Sequence, residues 1–437
     1  MLETRAPHLA SPAGKVETFE LVGNRLRKRL HYGSIWIDSS VQLNGETTGD
    51  LKGDWWRAYL KGQRPEPSVK SERPIRTVDL FCGPGGLANG LLQFFAEAGH
   101  NVVSELAVDE DGEATKVYAA NHATRMTSTE SVANLVDFSV RRSSSSISFH
   151  YPPELTNDLM LSALHGADVV LAGPPCQGHS NLNNHTRRND PRNSLYLTVP
   201  AFAVAIGAPI VIIENVPAVL HDSSDVVGTA QALLESAGYS VESGVVSAAS
   251  LGWAQTRKRH FLIARRGSAP LPINEVMVAL GDQTPRSVWW AIGDLENSTG
   301  SDVVNHVTEV SAENQARIDW LFKNSAYDLD LSERPTSHQN GTTYMSVYGR
   351  MRKGEPAPTI TTGFMSPGRG RFIHPTQPRV LTAREAARLQ GFSDLYQFVV
   401  DSGTPPGRTL LSKWIGDAVP MPLGFAAAFS AFASGLP

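Results

Sequence analysis

A chain of 437 residues with 41% apolar and 19% charged residues can bury a sizeable core and has the composition of an ordinary folded protein. Its formal charge of -4 excludes a globally basic surface, so any nucleic-acid binding has to come from a local basic cleft. Two cysteines give no disulfide framework, the first residues lack the apolar core of a secretory signal and no apolar run is read as spanning a bilayer, so a reducing cytoplasm is the expected setting with no membrane partner.

Residues 1–73 form an N-terminal extension. NRLRKRL (Asn24–Leu30) is a basic run, expected to be a solvated face. HYGSIWID (His31–Asp38) reads as a strand, rich in β-branched and aromatic residues. GDWWRAYLKGQRPEP then leads into a Pro-rich, charged stretch that ends in a domain boundary near Pro74. Covering the next domain is the expected role of this extension, ahead of DNA contact or partner docking.

From Ile75 the pattern alternates. IRTVDLF is a strand, CGPGG a tight turn, LANGLLQFFAEAG a helix ending at Gly99, NVVSELAVD a strand and GEATKVYAANH a helix. A Ser-rich surface insertion follows at 139–153. ADVVLAG, PIVIIENV and HFLIARR are three further buried strands. This is an α/β pattern: a mostly parallel sheet with helices on both faces, spanning 74–266. Between 267 and 378 periodicity weakens and Gly, Pro, Ser and Thr accumulate, which suggests a smaller irregular domain. TAREAARLQGF (Thr382–Phe392) is a helix opened by a capping box, within a last segment, 379–437.

Four stretches carry chemistry. In VDLFCGPGG, a strand runs through glycines into a helix N-terminus, which lets a ligand approach free backbone N–H groups. Asp109 closes the next strand, where an acid can take ribose hydroxyls. Together they point to an adenosine-containing cofactor, a dinucleotide or S-adenosylmethionine (AdoMet); the alternative is a turn that merely needs glycine. The second stretch is AGPPCQGHS. Cys176 follows two prolines just past a strand end, which fixes the backbone and aims the thiol as a nucleophile. A long polar loop after it carries Ser180, Arg187, Arg188 and Arg192, suited to closing over an anionic substrate. Third, Glu214 in ENV sits at another strand C-terminus on the same edge. Fourth, QTRKR (Gln255–Arg259) places Arg257 and Arg259 two apart, on one face of an extended segment.

These motifs resemble those of the cytosine-5 DNA methyltransferases, in the family's order, from about Ile75 to the C-terminus. DLFCGPGG is similar to the family's AdoMet loop, GPPCQGHS to its nucleophile loop, ENV to its base-binding acid and QTRKR to its arginine motif. RVLTAREAARLQGF and GDAVPMPLGFAAA are similar to its two C-terminal motifs. The resemblance implies methyl transfer from AdoMet to carbon 5 of a cytosine flipped out of duplex DNA, through a covalent Cys176 adduct. It implies that Glu214 hydrogen-bonds N3 and that Arg257 supports the neighbouring carbonyl, with Gln255 and Arg259 beside them. The cofactor would meet Asp79, Phe81, Gly83, Gly85, Gly86, Leu87, Asp109, Glu110, Pro174, Leu195, Asp417 and Val419. The family usually has Asn where Asp417 stands, and often an apolar residue in place of Glu110. Cys82 reads as a small buried residue. An acid after the third strand should contact the adenine amino group, with Asp137 as the candidate.

The target recognition domain falls between 267 and 378 by this resemblance. There Arg350, Arg352, Lys353, Arg369, Arg371 and Arg379 face one acid, Glu355, for a net +5 between 350 and 379. The first five are expected to contact DNA. A setting in restriction-modification or phage defence, with partner proteins, is a further expectation. Two alternatives stay open: a cytosine-5 methyltransferase acting on RNA, and a catalytically silent DNA-binding module.

Overall fold

Short apolar strands set between glycine turns and amphipathic helices can hide their faces in a layered sheet. The computed structural model describes residues 17–435, apart from 34, 46, 65–70, 145, 176–194, 283, 299, 340–346 and 401–404. β1 (Glu17–Val22), β2 (Arg25–Tyr32) and β3 (Ile35–Gln42) make an antiparallel sheet followed by α1 (Leu51–Leu60). The alternating unit then runs β4 (Ile75–Leu80), α2 (Gly86–Ala98), β5 (Val102–Val108), α3 (Gly112–Asn121), β6 (Thr127–Ser128). Four short strands follow: β7 (Val136–Asp137), β8 (Val140–Arg142), β9 (Ile147–Phe149) and β10 (Glu154–Leu155). The Ser-rich insertion is the β8–β9 hairpin. The unit resumes with α4 (Asp158–Leu164), β11 (Val169–Ala172), α5 (Thr198–Ile206), β12 (Ile210–Asn215), α6 (Val226–Ser236), β13 (Tyr239–Ser247) and β14 (Lys258–Arg266).

The central sheet has the order β13-β14-β12-β11-β4-β5-β6. From β12 to β6 every pair is parallel, while β14 runs antiparallel to both its neighbours. Parallel strands covered on both faces need apolar residues on both, and β11 and β12 are buried throughout. The C-terminal ends of β4, β11 and β12 therefore lie on one edge, with Leu80 beside Ala172 and Ala172 beside Ile213.

The rest of the chain is helical and irregular: α7 (Ile273–Leu280), α8 (Val288–Ile292), α9 (Ala312–Lys323), α10 (Thr336–Gln339), α11 (Ala383–Gln390), α12 (Arg408–Asp417) and α13 (Met421–Phe432). α13 is buried on every side and crosses α2 at two glycines. A methyl group at Gly90 would lie 2.5 Å from the Met421 carbonyl and 2.6 Å from the Gly424 Cα. Arg408–Phe432 is long and apolar enough to cross a membrane, contrary to the sequence reading, yet 89% of its most apolar 18-residue stretch is buried in the fold. These are core helices, and their apolarity is spent on packing.

The N-terminal extension is built into that core. Leu26, Leu30, Ile35, Ile37, Val41, Trp55 and Trp56 share one apolar cluster with Phe94, Phe425 and Phe429. HYGSIWID is not one strand. Tyr32 pairs with Ile35 across a tight hairpin turn that begins at Gly33, where φ is +55°. NRLRKRL is not a solvated run either: its period-two pattern buries Leu26, Lys28 and Leu30 on one face. Lys28 is fully buried, 3.0 Å from Glu17 and 2.7 Å from Glu97, with its ammonium 4.7 Å from the centre of the Trp56 ring.

Past the domain boundary expected at Gly267, the chain packs back onto the catalytic core. Leu271, Ile273 and Val276 join the core of α2 and α13, and Val288 and Ile292 pack with α11 and α12. A smaller cluster of Ile318, Leu321, Leu329, Val347, Tyr348 and Ile373 forms the centre of the irregular region.

Candidate active site

The glycine turn sits between β4 and α2, at the sheet edge. Its backbone leaves ordinary space three times: Phe81 has φ +59°, Gly83 +51° and Gly85 +94°. Glycine adopts such values freely, whereas phenylalanine does not. Asp109 braces the turn directly. Its Oδ2 accepts from Gly83 N at 2.8 Å and its Oδ1 from Asp111 N at 2.9 Å. Gly86 opens α2 against the C-terminal segment, where a methyl group would lie 2.9 Å from both Ala418 Cβ and the Val419 carbonyl. Leu87 and Val419 are buried beside it. Asp79 is buried below the turn, and its Oδ2 has no hydrogen-bond partner. Burial pushes its carboxyl well above the usual range; Tyr118 opposes the shift and Asp109 adds to it. Cys82 is buried, as its sequence context suggests. Glu110 and Asp417 are exposed and Leu195 is half-buried.

An open turn, free helix N–H groups and two carboxyls suit a ligand carrying a ribose and an ammonium group. AdoMet has both. Asp137 does not extend this site: it lies in β7, paired with Glu154, and accepts from the Tyr151 hydroxyl at 3.1 Å. The acid that follows the third parallel strand, β6, is Glu130. The strand is two residues long and left no periodic signal to find it by.

Glu214 lies at the end of β12, buried, with its Oε1 2.6 Å from Arg259 Nε. Burial raises its pKa, outweighing the opposing effect of Arg259 and Arg257. A carbon at the missing β position of Gly173 would be 3.6 Å from Glu214 Oε2 and 3.9 Å from the Phe81 carbonyl. The segment leading to Cys176 therefore passes close to both the acid and the glycine turn. Asn215 holds that segment, donating to the Pro174 carbonyl at 3.2 Å. Cys176, Ser180, Arg187, Arg188 and Arg192 lie outside the described residues.

Two expected catalytic residues make their described hydrogen bonds away from Glu214. Arg257 is 2% exposed, and its guanidinium donates to the carbonyls of Ile360 at 2.7 Å, Gly416 at 2.8 Å and Asp417 at 3.1 Å. It clamps the C-terminal return onto β14, while Arg259 is the arginine paired with the acid. Gln255 is fully buried. It donates to the Leu389 carbonyl and to Gln390 Oε1, both at 3.0 Å, and accepts from Ile360 N at 3.3 Å. It ties its own segment to those of Ile360 and of Leu389–Gln390.

The arginine cluster divides in the same way. Arg350 donates twice to the Pro375 carbonyl, at 2.9 and 2.7 Å, with its guanidinium 4.0 Å from the Phe322 ring centre. Arg371 binds the carbonyls of Tyr327 and Arg350, and Asp328 at 2.5 Å. Arg379 is paired with Glu385, whose pKa burial would raise but Arg379 and His374 bring down to about 2. Arg350 and Arg371 thus each spend several donors on partners within the protein. Arg352, Lys353 and Arg369 are exposed, with Lys353 Nζ 3.9 Å from the Trp289 ring centre.

The C-5 cytosine-specific DNA methylase family matches residues 75–432. The Type II methyltransferase M1.BsuMI of Bacillus subtilis is 34% identical over 433 residues, covering 97% of this chain and 96% of its own length. The Type II methylase M.HgiDII of Herpetosiphon aurantiacus is 30% identical, over 79% of this chain and 92% of its own length. In fold, the chain is similar to an E. coli prophage-encoded protein described as a DNA modification methyltransferase, with a TM-score of 0.53 at 22% identity, over 81% of this chain and 97% of that one. It is similar to the S. pombe Dnmt2 methyltransferase at the same TM-score and 14% identity, over 82% and 98%. A glycine turn opening a helix, on the same carboxyl edge of a mostly parallel sheet as a buried acid–arginine pair, thus agrees with the sequence relationship, and the chain belongs to the C-5 cytosine-specific DNA methylases as a DNA cytosine-5 methyltransferase.

Proposed function

We propose that this chain methylates one short duplex sequence as the modification half of a restriction-modification pair, with AdoMet as methyl donor and Cys176 as nucleophile. The relatives named as Type II methyltransferases support the setting. The observation that carries the chemistry is Glu214: a buried acid with a raised pKa, paired to Arg259 and close to Gly173, three residues before the thiol.

The Cys176 thiolate adds to carbon 6 of the flipped cytosine, and the displaced electron pair moves toward carbon 5 and N3. Neutral Glu214 donates its proton toward N3 as charge builds there, held in place by Arg259. AdoMet, when bound, supplies an electrophilic methyl group. Asp109 and the N–H groups at the start of α2 hold that donor, with Asp79, Leu87 and Val419 around it, and Glu130 is assigned to its adenine amino group. Once carbon 5 carries the methyl group, solvent takes its proton, that electron pair re-forms the 5,6 double bond as the carbon 6–sulfur bond breaks, N3 returns its proton to Glu214 and the thiolate is released. Arg352, Lys353 and Arg369 contact phosphates.

Bisulfite sequencing of DNA from a methylation-free host expressing the chain tests this reading, beside a Cys176→Ala control. Unconverted cytosines confined to one short motif, and absent from the control, are expected. Complete conversion in both would overturn it, and methylation persisting in the control would overturn the nucleophile.

A further inference from the structure

The glycine turn is held from two sides. On the β5 side, Asp109 takes Gly83 N and the Val108 carbonyl takes Cys82 N at 2.9 Å. On the other side stands Tyr396, from the segment between α11 and α12. Its hydroxyl donates to the Pro84 carbonyl and lies 3.2 Å from His122 Nε2. A tyrosine hydroxyl has one proton, and a carbonyl can only accept. The proton of Tyr396 goes to Pro84, so the contact with His122 requires an N–H on Nε2. Burial lowers the His122 pKa to about 4, which leaves the ring neutral near pH 7 and this tautomer in place.

Each member is itself braced. The His122 ring lies against Tyr118, 4.5 Å between centres. Tyr396 is 8% exposed and packs on Phe392 at 4.5 Å and Phe398 at 5.2 Å. Asn121 exchanges two hydrogen bonds with Gln397, at 2.8 and 2.9 Å. At the far end of α3, Asp111 accepts from Trp414 Nε1 at 3.0 Å. A methyl group at Gly85 would lie 2.8 Å from the Tyr396 hydroxyl and closer still to His122. The turn residue that must be glycine is the one these two side chains press upon.

We infer that Tyr396 and His122 are positioning residues for AdoMet: a latch from the C-terminal segment that holds the Pro84 carbonyl and the left-handed Gly85 of the cofactor turn in place. This deepens the cofactor reading above and rests on it. The latch touches neither Glu214 nor the nucleophile segment among the described contacts, so its loss acts on cofactor affinity and not on the chemical step.

The test is equilibrium binding of AdoMet to the full chain, with steady-state kinetics and thermal melting in parallel. Tyr396→Phe keeps the ring in its aromatic setting and removes the donor. It is expected to raise both the AdoMet Kd and the KM for AdoMet about tenfold, the effect of losing one buried hydrogen bond, with kcat at saturating AdoMet within about twofold. His122→Ala should weaken binding in the same direction, and His122→Gln, which retains a donor, should restore much of it. A merely structural role would lower the melting temperature without this split between KM and kcat. Wild-type affinity in Tyr396→Phe, or a loss confined to kcat, would overturn the latch. Failure of the wild-type chain to bind AdoMet would overturn the cofactor reading first. If Tyr396→Phe does not fold, the two His122 variants decide the question.

Discussion

Two stretches of this chain are basic in sequence, Asn24–Leu30 and Arg350–Arg379, and they are spent differently. In the first, Lys28 goes to the centre of the core, Arg27 pairs with Asp38 and Arg29 sits 3.4 Å from Glu20. It is a structural seam joining the N-terminal sheet to α2. In the second, Arg350, Arg371 and Arg379 are tied internally, while Arg352, Lys353 and Arg369 face outward. A count of positive residues is therefore an upper bound on positive surface. The partners that consume the charge are remote in sequence: Glu97 is 69 residues from Lys28, and Asp328 is 43 from Arg371.

This contrast can be broken at both ends. Lys28→Ala removes the cation that Glu17 and Glu97 share and should cost about 3 kcal/mol by chemical denaturation, the lower end for breaking a buried ion pair, because Lys52 still pairs with Glu17 and Arg64 with Glu97. A loss below about 1 kcal/mol would mean that the N-terminal sheet is an accessory and not part of the core. Arg371→Ala should cost about 1–3 kcal/mol, the range for buried hydrogen-bonding groups left unpaired, while the salt dependence of DNA binding keeps its slope. A flatter slope would show that Arg371 reaches phosphate after all. The combined Arg352→Ala, Lys353→Ala variant should leave stability within about 0.5 kcal/mol and lower the salt slope by about 2, one per phosphate contact, equally for target and non-target sequences. An unchanged slope would remove these residues from the DNA interface.

The catalytic half was largely legible because its signals are local. The strand–turn–helix from Ile75 to Gly99 follows from a short apolar run, a glycine cluster and an amphipathic period. The capping box at Thr382 and Glu385 forms as written, with Gly391 closing the helix at φ +87°. Asp109 and Glu214 could be placed because each ends a strand, and parallel strands bring their ends to one edge. What the motif QTRKR does could not be read this way. Arg257 and Arg259 are two residues apart, yet one is drawn to three backbone carbonyls and the other to a carboxyl. HYGSIWID misled because a Gly33 turn and a strand interior look alike where β-branched and aromatic residues continue on both sides.

Local propensity and spacing were thus enough for the alternating α/β order, the glycine turn and the identity of the acid at the sheet edge, since each depends on neighbours within a few turns of chain. Only the folded chain decided which arginines are tied inward and which face outward, that an apolar C-terminal pair of helices belongs to the core, and that Tyr396 closes on a turn 312 residues before it. Those outcomes depend on long-range pairing, in which a buried charge or donor takes whichever partner the packing brings within reach.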